Sequence, residues 1–74
     1  MALEVITSPL PGKIVSVNVK TGQQVKEGEL LLVIEAMKME NEIVAPVNGT
    51  VTTVSVAPQA TVQIGDDLVS IEEG

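Results

Sequence analysis

Cysteine, histidine, arginine and every aromatic residue are missing from this 74-residue chain. Each absence closes a class of function. Without Cys there is no disulfide framework, and without Cys and His there is no zinc site of the usual ligand types. Without Phe, Tyr or Trp there is no platform on which nucleic-acid bases could stack. Without Arg, and with four lysines against ten carboxylates for a net charge of −6, the cationic footprint needed for a phosphate backbone is lacking. The same charge argues against binding to an anionic membrane surface. The longest apolar run, LLLVI at 30–34, is far too short for a membrane span. The opening MALE lacks the charged and apolar regions of a signal peptide. With no His, no Cys and no metal-binding constellation, the chain is not expected to be an enzyme in its own right. These features predict one small, acidic, soluble, intracellular domain, and the domain itself is expected to be monomeric.

What the chain does contain is a repeat. Shifted by 37 residues, segment 4–35 falls on 41–72 without a gap, and ten of the 32 positions are identical. Ile6, Pro9, Gly12, Val17, Val19, Val25, Gly28, Leu31, Ile34 and Glu35 meet Ile43, Pro46, Gly49, Val54, Val56, Val62, Gly65, Leu68, Ile71 and Glu72. The glycines lie between apolar runs, where a positive φ or a tight turn is expected. IVSVNV and VTTVSV alternate as half-buried strands do. Each half reads as four short strands, near 4–8, 13–19, 24–26 and 30–35, then 41–45, 50–56, 61–63 and 67–72. Short strands with frequent turn signals predict an all-β fold. It should be a flattened barrel of two small antiparallel sheets, eight strands in all, with an internal pseudo-twofold axis. The expected core is Ile6, Leu10, Ile14, Val17, Val19, Val25, Leu31, Leu32 and Ile34. Its equivalents in the second half are Ile43, Val47, Val51, Val54, Val56, Val62, Leu68, Val69 and Ile71.

The segment IEAMKMENEIVAP, 34–46, stands where the halves join. Glu, Ala, Met and Lys favour a helix, whereas LLLVI before and EIVAP after suit strands. The repeat bears on the choice between them. The flanks correspond to DDLVSIE and EVITS, both strand-like, so residues 36–39 should form a hairpin connection; a helix through 30–43 is the alternative. The pseudo-dyad then relates this tip to the two termini. They should be neighbours at one pole, with Lys38 at the other. The central pair of a two-residue hairpin loop needs φ > 0, which favours Asn-Gly or Asp-Gly. Met37-Lys38 is a costly choice for such a turn, and two methionines at an exposed tip supply adaptable apolar surface of the kind used in recognition. The competing role for Met37 and Met39 is flexible packing against the hairpin base. Lys38 has no neighbouring cation and has Glu35, Glu40 and Glu42 near it in sequence, so it is poorly suited to start chemistry alone. It suits modification by another enzyme. Glu35 and Glu40 either steer the tip toward a basic partner surface or serve as solvated flank charges.

AMKM within EAMKMENEI, with P-L-P-G before it and A-P-V-N-G after it, resembles the biotinyl domain of biotin-dependent carboxylases, decarboxylases and transcarboxylases. The resemblance runs from about Ser8 to Ile71. It implies a flattened barrel with a lysine at a hairpin tip and biotin joined to Lys38 by an amide bond. Ala36, Met37 and Met39 complete the motif, the methionines as recognition residues. The implied partners are a biotin protein ligase, a biotin carboxylase, and a carboxyltransferase or decarboxylase subunit. The implied role is a carrier moving a carboxyl group between two active sites, in the cytoplasm or, within a eukaryotic carboxylase, the mitochondrial matrix. Some family members carry a protruding thumb in the first half; the ungapped repeat leaves no room for one. The family's second half usually has glycine where this chain has Gln59, which leaves the geometry of that turn open. A lipoyl carrier shares the fold but usually shows Asp-Lys-Ala at the tip. An unmodified β interaction domain is the other alternative.

Overall fold

A computed structural model describes residues 2–74, and these fold into eight strands with no helix among them. The strands are β1 (Leu3–Thr7), β2 (Gly12–Val17), β3 (Gln24–Val25), β4 (Leu30–Ala36), β5 (Met39–Val44), β6 (Gly49–Val54), β7 (Thr61–Val62) and β8 (Asp67–Glu73). They form two four-stranded sheets ordered β1-β8-β6-β3 and β5-β4-β2-β7. All neighbouring pairs are antiparallel. Exchanging the repeat halves, β1 for β5 and so on, converts one order into the other. The helix alternative for 30–43 is not adopted: β4 and β5 pair along their length from Leu30↔Val44 to Ala36↔Met39. Local helix propensity amounts to tenths of a kcal/mol per residue, and burial of Leu31, Leu32 and Ile34 in β4 outweighs it.

The core lies between the sheets. Ile14, Leu31, Leu32 and Ile34 are buried together with their repeat equivalents Val51, Leu68, Val69 and Ile71. Val19, Val25 and Val62 join them, and the remaining apolar positions of the expected core pack against this cluster as half-buried residues. The structure adds three small residues to that set. Ala45 is buried in the core and Ala60 packs on it. Ser8, the repeat partner of Ala45, is buried with its hydroxyl donating to the Leu10 carbonyl at 2.7 Å. That bond satisfies the one polar group that burial would otherwise penalise.

Simple alternation does not account for this core. Ile14 and Val17 both face inward though three residues apart, which an unbroken strand forbids. The β2–β4 register shifts between Ile14 and Ser16, and the β6–β8 register shifts identically between Val51 and Thr53. A bulge at each place adds one residue and restores the inward face. A second matched pair of shifts, Ile6/Thr7 and Leu30/Leu32, lets the consecutive residues Leu31 and Leu32 both be buried.

Gly12 has a reason other than turn formation. A Cβ there would lie 2.6 Å from the Glu35 carbonyl oxygen and 2.7 Å from Ile34 Cγ2. β2 therefore approaches β4 at a distance only glycine permits; Gly49 meets Glu72 and Ile71 in the same way. Gly28 and Gly65, by contrast, do adopt positive φ, at 89° and 88°. The turn containing Gln59 survives the loss of glycine. Gln59 takes φ 77° and donates its backbone N–H to Ile14 O at 2.8 Å, as Gly22 does to Val51 O at 2.8 Å.

Candidate functional site at the hairpin tip

β4 and β5 are joined by two residues only, closed by the Ala36↔Met39 pair. Met37 has φ 53° and Lys38 φ 66°. Both central residues are left-handed, which gives the loop the type I′ sense that matches the right-handed twist of the flanking strands. The conformation costs roughly 1–2 kcal/mol for each non-glycine residue. The Ala36↔Met39 pair imposes it: with only two residues left between the paired strands, both must be left-handed to match the strand twist. Lys38 is exposed at the apex. Met37 is 95% exposed and Met39 66% exposed, so neither packs in the core; Ala36 is half-buried at the base.

The two sides of the hairpin differ. On one, Leu10, Pro11, Ala36, Met37, Met39 and Asn41 enclose an apolar cleft of about 180 Å³. The close approach at Gly12 holds the Leu10–Pro11 segment against the end of β4 and so forms one wall. Asn41 is the only polar side chain there. Its amide donates to Ile34 O at 3.4 Å and to Met39 O at 3.3 Å, both long for hydrogen bonds. On the other side, Lys13, Glu35 and Glu40 form a row across β2, β4 and β5. With Gln59 they line a second cleft of about 170 Å³. Glu35 thus stands between a lysine on one strand and a like charge on the other, and Glu42 follows two residues along β5. The tip presents an amino group between an apolar face and a predominantly acidic one.

The pseudo-dyad supplies an internal control. At the chain ends, Leu3 pairs with Glu72 as Glu40 pairs with Glu35, and Glu73 N–H donates to Ala2 O at 2.8 Å. The termini are therefore neighbours and occupy in one sheet the place the tip occupies in the other. The positions equivalent to Leu10, Pro11, Ala36, Met37, Met39 and Asn41 are Val47, Asn48, Glu73, Gly74, Ala2 and Glu4. Apart from Val47, the same framework is built there with polar, charged or minimal side chains. The apolar character of the tip is thus a property of its residues and is not required by the fold.

Lys38, Met37, Met39 and Ala36 come together as the sequence spacing implies. Leu10, Pro11 and Asn41 were not singled out as tip residues. Leu10 and Pro11 reach the tip only through the close approach at Gly12, while Asn41, two residues beyond Met39 on β5, was within reach of the period-2 rule. Two larger hollows, about 630 and 530 Å³, are lined by residues within 54–67 and by residues within 24–29 and 48–50 with Gly74, away from the lysine. No cluster of acidic side chains able to hold a metal ion occurs among the described residues.

Residues 4–71 match the Biotin_lipoyl family, described as biotin-requiring enzyme. The chain is 46% identical over 70 residues to a biotin carboxyl carrier protein of Streptococcus mutans, covering 95% of this chain and 54% of that protein. It is 57% identical over 49 residues to the methylmalonyl-CoA decarboxylase gamma subunit of Veillonella parvula, covering 66% and 38%. It is 48% identical over 68 residues to the alpha chain of human mitochondrial propionyl-CoA carboxylase, covering 92% and 9%. The chain thus spans about half, or much less, of the length of these relatives. Among solved structures it superposes on a single-chain, multi-domain long-chain acyl-CoA carboxylase with a TM-score of 0.91 at 30% identity, covering 97% of this chain and 7% of that one. The lipoyl domain of the 2-oxoglutarate dehydrogenase complex from Azotobacter vinelandii superposes with a TM-score of 0.83 at 28% identity, covering 95% and 96%.

Proposed function

The chain belongs to the biotin-requiring enzyme family, and from that premise we propose that Lys38 is its biotin attachment site and that the domain is a biotin carboxyl carrier. The observation that carries the proposal is the exposed amino group at the apex of a strained two-residue turn, flanked by two exposed methionines. When attached, the biotin ring would accept a carboxyl group at one catalytic centre and release it at another.

The chain's own residues contribute presentation. The left-handed turn projects Lys38 beyond the last pair of β4 and β5, so an enzyme can close around the amine without meeting the barrel. Met37 and Met39 both line the cleft on one face of the hairpin and offer apolar surface beside the amine, where a partner can exclude water. The nearby carboxylates Glu35, Glu40 and Glu42 favour approach by a basic surface. The chain ends lie in the other sheet, so a linker would leave from a site distinct from the lysine. Tethering of this kind holds a bound group near its targets at an effective concentration of order millimolar. The residues fit such a group because nothing at the tip obstructs a long arm.

The partners in this proposal are a biotin protein ligase, a biotin carboxylase, and a carboxyltransferase or decarboxylase subunit, in the cytoplasm or the mitochondrial matrix. The carboxylase and decarboxylase names of the relatives support that set. The test is incubation with a biotin protein ligase, biotin and ATP, followed by intact mass and peptide mapping. One biotinyl group on Lys38, absent from Lys38→Arg, is expected. Modification by a lipoyl ligase alone would replace this proposal with a lipoyl carrier. Modification by neither enzyme would leave an interaction domain.

A further inference from the structure

We propose that Met37 and Met39 are a site of oxidative modification, and that oxygen transfer to their sulfur atoms stops enzymes from recognising Lys38. The proposal rests on the reading of Lys38 as the attachment site. The chain contains no cysteine, histidine, tyrosine or tryptophan to intercept an oxidant. Its readily oxidised groups are three methionine thioethers, Met1, Met37 and Met39. Met1 lies outside the described residues. Met37 and Met39, 95% and 66% exposed, stand on either side of one lysine at a turn with no overlying structure.

A peroxide is the co-reactant class. A lone pair on the thioether sulfur attacks the terminal peroxide oxygen and an S–O bond forms as the O–O bond breaks. The sulfur is oxidised by two electrons. The remaining peroxide oxygen is reduced and, from hydrogen peroxide, leaves as water with the transferred proton. The product sulfoxide is polar and chiral. It changes the wall of the Leu10–Pro11–Ala36 cleft, which both methionines line, from apolar to hydrogen-bonding. The barrel does not depend on these thioethers, since the equivalent positions at the chain ends are Gly74 and Ala2. Modification should therefore alter recognition and leave folding intact.

The test uses the unmodified domain treated with limiting hydrogen peroxide, peptide mapping of the sulfoxides, and ligase kinetics with biotin and ATP. Met37 should oxidise before Met39. The oxidised domain should keep its melting temperature and lose roughly tenfold or more in kcat/KM for biotin transfer, the penalty for placing a polar group in an apolar contact. Treatment with both methionine sulfoxide reductases, one for each sulfoxide epimer, should restore the rate. In M37L/M39L, whatever its untreated rate, the ratio of treated to untreated rates should stay near one. An oxidised wild-type domain labelled as fast as the untreated one would overturn this proposal and leave Lys38 as the attachment site. An untreated domain never labelled at Lys38 would overturn both.

Discussion

Replacing Met37 by glycine separates the cost of the tip from its use. Met37 has φ 53°, so glycine removes a left-handed strain of roughly 1–2 kcal/mol. Against this, glycine loses more chain entropy on folding, about 0.5–1 kcal/mol. The side chain is 95% exposed, so almost no buried apolar area is lost with it. The net expectation is a gain of about 0.5–1 kcal/mol, or a melting temperature higher by roughly 3–6 °C in a domain of this size. Gln59→Gly is the matched comparison. Gln59 has φ 77°, and its partner Gly22 shows that glycine fits the same turn, so a similar gain is expected. The two variants should part in the ligase assay. Met37→Gly removes one side of the apolar surface beside Lys38, and kcat/KM should fall by about tenfold. Gln59→Gly should change it by less than about twofold. Urea denaturation, thermal melts and ligase kinetics on the two variants decide the matter. A Met37→Gly domain destabilised by more than about 1 kcal/mol would refute the assignment of strain without packing. One labelled at the wild-type rate would refute the role of Met37 in recognition.

Gly12→Ala forces a Cβ against the Glu35 carbonyl oxygen and Ile34 Cγ2; a loss of about 1–3 kcal/mol is expected in denaturation, and an unchanged midpoint would contradict the close approach. Ile34→Ala empties a fully buried position and should cost about 2–5 kcal/mol, measured by urea titration. Lys38→Arg keeps the exposed turn and its charge; its melting temperature should stay within about 2 °C of wild type while mass spectrometry finds no biotinyl group. High salt should slow ligase association with the wild-type domain, because Glu35, Glu40 and Glu42 act through solvent and are screened beyond roughly 10 Å at 0.1 M. Stopped-flow rates independent of salt would remove the steering role.

The fold was unusually legible because it is written twice. Residue pairs such as Leu31/Leu68 and Ile34/Ile71 recur at one spacing, so each half corroborates the strands of the other. That agreement outweighed the helix preference of Glu35 to Glu40. Other features were hidden because they depend on contacts between distant segments. The bulges at Val15 and Thr52 exist to fit inward faces to a second sheet, and no local pattern marks them. Gly12 looked like a turn residue; its actual constraint is a carbonyl oxygen 23 residues away in sequence, at Glu35. Ser8 and Ala45 lie outside the apolar set that the strand pattern marks, yet both are buried.

The amino-acid sequence alone determined the doubled strand pattern, the apolar set that fills the interior, and the two-residue link that leaves Lys38 between two methionines. These are matters of periodicity and chain length, which local stereochemistry converts directly into strands and turns. Only the tertiary structure decided that the Leu10–Pro11 segment walls a cleft beside the lysine and that acidic side chains cover the opposite side. It also decided that, among the described residues, the same framework at the chain ends is lined by Val47 and otherwise by polar, charged or minimal side chains. Those features arise where β2 packs closely along β4 and where two sheets meet, and close contact between remote segments is set by packing in three dimensions.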